Sequence, residues 1–107
     1  LFVKLQPAEL ERVADLFRAF AEPTRLAIVQ ELKAGELSVS EIVGLLPTSQ
    51  ANVSKQLKVL YDAGLLTRRK QGTQVLYAIA EPMVFELCKI ACDKLNRDAA
   101  RPAKLKF

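Results

Sequence analysis

The chain has no histidine, and it holds two cysteines, four glycines and five prolines among 107 residues. Without an imidazole, Ser38, Ser40, Ser49 and Ser54 have no evident base to activate them. There is no Gly-rich phosphate loop and no pair of carboxylates in an evident cleft, so the reading is not an enzyme. Two cysteines do not make a disulfide scaffold. Nine glycines and prolines together are too few for a linker or a disordered tract. No run approaches the roughly 20 apolar residues that cross a bilayer, and no cleavable signal peptide stands at the start. The expectation is a cytoplasmic protein without membrane contact. Leu1 in place of an initiator methionine suggests a fragment or a trimmed product.

Half of the residues are apolar, which suits one globular domain over residues 1–107. A monomer of this size buries only about two thirds of its unfolded surface, so a long apolar helix left over is expected to find a partner subunit. The net charge is +4, unevenly spread. Residues 1–47 carry five bases and seven acids. Residues 48–74 carry Lys55, Lys58, Arg68, Arg69 and Lys70 against Asp62 alone. A basic middle third suits a face turned to a polyanion, although a solvated face that happens to be basic has the same composition.

Apolar spacing along the chain reads as helices over 8–20, then from Glu22-Pro23-Thr24 to about Lys33, with Gly35 as the stop. Phe17 and Phe20, at the end of the first helix, are expected to be exposed and to pack against something substantial. Ser38 and Glu41 form a capping box for a short helix ending near Leu45. Thr48 or Ser49 opens the next helix, which stops at Asp62-Ala63-Gly64. The period then changes: Leu65-Leu66-Thr67, basic residues, a turn at Gln71-Gly72-Thr73, and alternating Val75, Tyr77 and Ile79 predict two strands. Pro82 starts a final helix, with Val84, Leu87, Cys88, Ala91, Cys92 and Leu95 as its stripe and a polar, fraying tail from Arg97. The fold predicted is mainly α with a β-hairpin wing: four helices, two strands and a terminal helix.

Two short helices joined by a tight connection, spanning 38–62, make a candidate helix-turn-helix, whose second helix enters the major groove of duplex DNA. Gln50, Asn52, Ser54, Lys55, Gln56 and Lys58 are expected to point outward, with Val53, Leu57 and Leu60 inward. Ser49, Gln50, Asn52, Ser54 and Gln56 are the candidates for base edges, or for phosphates at the helix start. Lys55 and Lys58, with Arg68, Arg69 and Lys70 of the hairpin, would supply backbone attraction, and Thr73 lies at the hairpin tip. Any solvated helix can show Gln, Asn and Lys. More specific is the succession of capped short helix, polar-faced helix, Asp-Ala-Gly stop and basic hairpin. The rival is an interaction module that does not read DNA, and burial of Gln50, Asn52, Ser54 and Gln56 would favour it.

Residues 17–79, with Ala21–Leu26, Ser49–Leu60, Asp62-Ala63-Gly64-Leu65 and the wing ending Val75-Leu76-Tyr77 as the most specific pieces, resemble the ArsR/SmtB winged helix-turn-helix repressors. The resemblance implies a homodimeric repressor that leaves its operator when a ligand or an oxidant reaches it. By the same resemblance, 8–20 and 82–98 are dimerisation helices, Ser49–Leu60 is the recognition helix and 65–79 the wing. Many members carry His where this chain has Gln56.

Arsenic-sensing members place two thiolates where this chain has Ser38 and Ser40, whose hydroxyls are poor ligands for soft metals. Zinc sites on the last helix of the family use carboxylates and imidazoles, and Glu86 and Asp93 without histidine make a feeble substitute. Cys88 and Cys92 remain as candidate sensors. At i and i+4 they share one face, roughly 6 Å apart between Cβ atoms, too far for an unstrained disulfide. Three readings of the thiols stand: buried packing residues, a site for arsenite or another thiophilic ion, or a redox or persulfide switch; an organic inducer, or none, is the remaining alternative. Dithiol members pair a cysteine of the second helix with one of the last, and Gln30 marks a second helix without one.

Overall fold

The computed structural model describes residues 3–98 and 104–107. Helices α1 (Pro7–Phe20), α2 (Pro23–Leu32), α3 (Val39–Leu45) and α4 (Gln50–Asp62) are followed by strands and by helix α5 (Met83–Asn96). The predicted hairpin is present as β2 (Leu66–Gln71) and β3 (Gln74–Ile79). A two-residue strand, β1 (Leu37–Ser38), extends it to a three-stranded antiparallel sheet in the order β1-β3-β2. The fold is a winged helix-turn-helix, with α3 and α4 as the helix pair and the sheet as the wing.

Local chemistry accounts for most of the boundaries. The Glu22 side chain accepts the Arg25 backbone N–H at 3.0 Å, and Pro23 follows where its missing N–H costs nothing. Ser38 accepts from the Glu41 N–H at 3.1 Å while Glu41 accepts from the Ser38 N–H at 2.9 Å, which closes the capping box. Helix α4 ends in a left-handed Gly64 (φ 78°), with the Leu65 N–H reaching back to the Leu60 carbonyl at 3.0 Å. In the wing, Gln71 faces Gln74 across a two-residue turn that begins with Gly72 at φ 64°. A positive φ at the first turn position favours glycine and matches the strand twist.

Ile28 and Val29 of α2, Ile42 of α3, Val53, Leu57 and Leu60 of α4 and Val84 of α5 are the centre of the core. Leu66 and Tyr77 close it from the wing. Phe20 belongs to this core, contrary to the expectation of an exposed aromatic, because α1 meets the body through its carboxyl-terminal end, where Ala19 and Phe20 are buried and Leu16 packs against the core. The rest of α1 lies open: Leu10, Val13 and Phe17 are exposed, as are Ile90 and Leu95 on α5.

The expected fraying tail falls partly on residues 99–103, outside the described residues. Residues 104–107 pack back onto the body rather than fray: the Asn96 side chain donates to the Leu105 carbonyl at 2.7 Å and accepts its N–H at 2.6 Å. Among the described residues no helix is long and apolar enough to cross a membrane.

Candidate nucleic-acid interface

Helix α4 divides into two faces. Val53, Gln56, Leu57 and Leu60 are buried, and Gln50, Ala51, Ser54, Lys55 and Lys58 are exposed. Ser49 is the N-cap and accepts the Asn52 N–H at 3.1 Å. That leaves the earliest N–H groups and the positive end of the helix dipole open to an anion. The N-terminal half of α4 therefore presents an amide, a hydroxyl and an ammonium group on one outward row.

Two of the expected outward residues are not outward. Gln56 is only 6% exposed. Its Oε1 accepts from Arg25 Nη1 at 2.6 Å and its Nε2 donates to Asn52 Oδ1 at 3.0 Å. Asn52 is half-buried, and its Nδ2 donates to Thr48 Oγ1 at 3.0 Å, with Thr24 Oγ1 at 3.5 Å. The reason is periodicity: Gln56 lies three residues after Val53 and four before Leu60, on the buried stripe itself. A polar side chain there is tolerated because both ends of its amide are paired, and no buried side-chain polar atom among the described residues lacks a partner. Of the residues that discriminate DNA reader from interaction module, Gln50 and Ser54 are exposed, Asn52 is half-buried and Gln56 is buried.

The basic residues are also unequal. Arg69 is gripped by Glu36 in a two-pronged pair, Nε to Oε2 at 2.9 Å and Nη2 to Oε1 at 2.8 Å. The pair holds the Glu36 carboxyl below its ordinary range and pushes the Arg69 guanidinium up. The Arg68 guanidinium lies 4.0 Å above the Tyr61 ring centroid, and its neighbours Tyr77, first, and Tyr61 hold its pKa above the ordinary value. Lys58 bonds Asp62 one turn on at 2.8 Å. Lys55 and Lys70 are exposed and form no ion pair among the described residues. Thr73 is exposed at the wing tip, where Ser40, Gln50 and Thr73 line a groove of about 430 Å³ between wing and helix pair.

On α5, Cys88 is buried and Cys92 half-buried, both as free thiols. Burial, then the neighbouring Cys92, pushes the Cys88 thiol above its ordinary value. Cys92 lines a groove of about 440 Å³ with Phe85, Lys89, Leu105 and Phe107. Among the described residues no group of three or more Cys, Asp or Glu side chains converges as a metal site. One chain offers at most two sulfurs, those of Cys88 and Cys92.

Neither Arg25 nor Glu36 stands out in the sequence as part of this surface. Glu36 pairs across the sheet through a strand of only two residues, and Arg25 lies on a different helix from its partner.

A helix-turn-helix domain family model matches residues 20–69. The Mycobacterium tuberculosis HTH-type transcriptional repressor SmtB is 40% identical over 90 residues, spanning 84% of this chain and 67% of that protein. The crystal structure of Mycobacterium tuberculosis Rv0081 superposes with a TM-score of 0.78 at 31% identity, over 90% of this chain and 96% of its own. The solution structure of a homodimeric winged helix-turn-helix DNA-binding domain from Mycobacterium bovis, a possible ArsR-family regulator, gives a TM-score of 0.73 at 25% identity, over 99% of this chain and all of that one. With the capped helix pair, the polar-faced second helix and the basic wing already in place, these similarities settle the family. The chain belongs to the ArsR/SmtB family of winged helix-turn-helix transcriptional repressors, a family of regulators rather than enzymes.

Proposed function

We propose that the chain is a homodimeric, cytoplasmic repressor that reads duplex DNA with the outward row of α4. The observation that carries this is the exposed start of the helix: Gln50, Ser54 and Lys55 stand exposed at its open amino-terminal end, while Val53, Leu57 and Leu60 are buried. Gln50 and Ser54 supply base-edge contacts, while Ser49, Lys55, Lys58 and the wing residues Arg68, Lys70 and Thr73 supply phosphate contacts. Arg69 joins them once it exchanges Glu36 for a phosphate. Asn52 and Gln56 support the reading helix rather than read with it, because their amides are already engaged.

The open apolar residues of α1 and α5 support these helices as the dimer interface. Leu10, Val13 and Phe17 on one, and Ile90 and Leu95 on the other, find no cover within the subunit. A two-fold dimer places its reading helices about one helical turn apart, so the operator is an inverted repeat.

Release of the operator is assigned to the thiols of α5, with Cys92 as the reactive group and Cys88 as its buried neighbour. A thiophilic ion such as arsenite, drawing a further sulfur from the second subunit, and a redox or persulfide signal remain the two chemistries to separate.

The test is selection of binding sites from a randomised duplex library by the reduced protein. An inverted repeat with half-sites about one helical turn apart is the expected result. Enrichment of no sequence contradicts the reading and favours the interaction module. Arsenite, or separately a persulfide donor, is then added to the complex. Release by one of them, lost in Cys92→Ser, identifies the signal; indifference to both makes the cysteines packing residues.

A further inference from the structure

The geometry points to Arg25 as the positioning residue of the reading helix, a role that rests on the DNA-reading function proposed above. Arg25 sits on α2, part-buried, and its side chain is used from every side. Nε donates to the Ala19 carbonyl at 2.8 Å and Nη2 to the Arg18 carbonyl at 2.8 Å, while Nη1 donates to Gln56 Oε1 at 2.6 Å. The first two acceptors lie in the last turn of α1, where the negative end of the dipole favours a cation; the Arg18 carbonyl also accepts the Ala21 N–H at 3.1 Å. The third lies on the buried face of α4. One planar guanidinium thus fastens the end of α1 to the middle of the reading helix.

Its chemistry also sets a direction. A guanidinium only donates, so the Gln56 amide must turn its oxygen toward Arg25 and its NH2 group away. That NH2 meets Asn52 Oδ1 at 3.0 Å, so Asn52 in turn must direct its NH2 toward Thr48 Oγ1 at 3.0 Å and Thr24 Oγ1 at 3.5 Å. A cation on α2 therefore orients two amides on α4 and ties them to the residue just before its cap. Gln50 and Ser54 lie on the same two turns as Asn52 and Gln56, so this chain of bonds adds to the core packing of Val53 and Leu57 in setting their place relative to α1. Since α1 is the helix proposed to meet the second subunit, the link fixes the reading row with respect to the dimer axis as well.

Arg25→Met and Gln56→Met cut the same link from opposite ends, and Gln56→Met leaves the hold of Arg25 on α1 intact should Arg25→Met fail to fold. In the DNA-free protein, side-chain amide NMR reads Asn52 directly. Its NH2 protons are expected to exchange with water roughly tenfold faster in either variant, because nothing then holds the amide with its NH2 group toward Thr48 and Thr24. With the duplex selected by the wild-type chain and a scrambled duplex as comparison, the preference for the selected duplex falls roughly tenfold or more, the size of a lost base contact. Affinity for scrambled DNA changes far less, and the double variant loses no more than the worse single one. Unchanged Asn52 exchange, equal losses on both duplexes, or additive losses in the double variant would each overturn the assignment. If the wild-type chain selects no duplex, the DNA reading fails, and the Asn52 exchange alone decides whether Arg25 orders the amides.

Discussion

Glu36 and Arg69 meet through two parallel hydrogen bonds, at 2.9 and 2.8 Å, between the start of the sheet and the middle of the basic wing strand. A carboxylate in that position occupies the fork that a phosphate would occupy. Glu36→Gln is therefore expected to strengthen binding to any duplex and to steepen the dependence of log K on log salt by about one phosphate contact, without changing base preference. Titrations of selected and scrambled duplexes at several salt concentrations check this. A gain confined to the selected duplex, or no gain, would contradict it.

The same pair carries a pH signature. Because the hydrogen bond from Arg69 lowers the Glu36 pKa below its ordinary 4.5 in the folded chain, the stability it contributes is complete above that value. It is lost as pH falls through the lowered folded value. Glu36→Gln should thus lower stability slightly at neutral pH, leave it unchanged below the lowered folded value, and so flatten the acid limb, as read by urea unfolding across that window. A change confined to acid pH would count against the pair.

Ser38 is buried and closes the capping box of α3 from both sides. Ser38→Ala should cost about 1 kcal/mol, the usual value of a lost N-cap. Leu60→Ala, at a fully buried core position of α4, should cost about 2–5 kcal/mol. Equilibrium denaturation measures both, and a Ser38→Ala loss larger than that of Leu60→Ala would reverse the ranking the packing gives.

The two thiols should react in sequence. Cys88 is buried, and that burial together with Cys92 raises its pKa, whereas Cys92 borders an open groove. Brief alkylation at neutral pH followed by peptide mass mapping should find the label on Cys92 first. Equal labelling, or Cys88 ahead, would remove the basis for treating Cys92 as the reactive sulfur.

The elements that sequence reasoning found were those written in short-range spacing. Ser38 and Glu41 are three residues apart and form their box without outside help. Val53, Leu57 and Leu60 mark a helical face, and the run from Val75 to Ile79 alternates as a strand must. The miss at Gln56 was partly avoidable, since its position between Val53 and Leu60 already lies on the buried stripe. Its polarity argued the other way, and the partner that makes burial tolerable, Arg25, is 31 residues distant in sequence. The strand at Leu37–Ser38 is too short to alternate and exists only because Tyr77 and Leu76 lie opposite it. The unequal availability of the wing arginines was hidden for the same reason: Glu36 and Tyr61 are neighbours only in the fold.

On the proposed reading, the exposed residues of α4 read base sequence while the basic residues supply sequence-independent attraction, a division of labour open to direct measurement. The measurement that tests it most directly is a fluorescence anisotropy titration of the reduced protein on its selected duplex, with scrambled DNA as competitor. Wild type, Gln50→Ala and Lys70→Ala are compared. The account predicts competitor-resistant binding by wild type, loss of preference for the selected duplex in Gln50→Ala, and parallel weakening on both duplexes in Lys70→Ala. Equal effects of the two substitutions on both duplexes, or wild-type binding that scrambled DNA displaces completely, would contradict it.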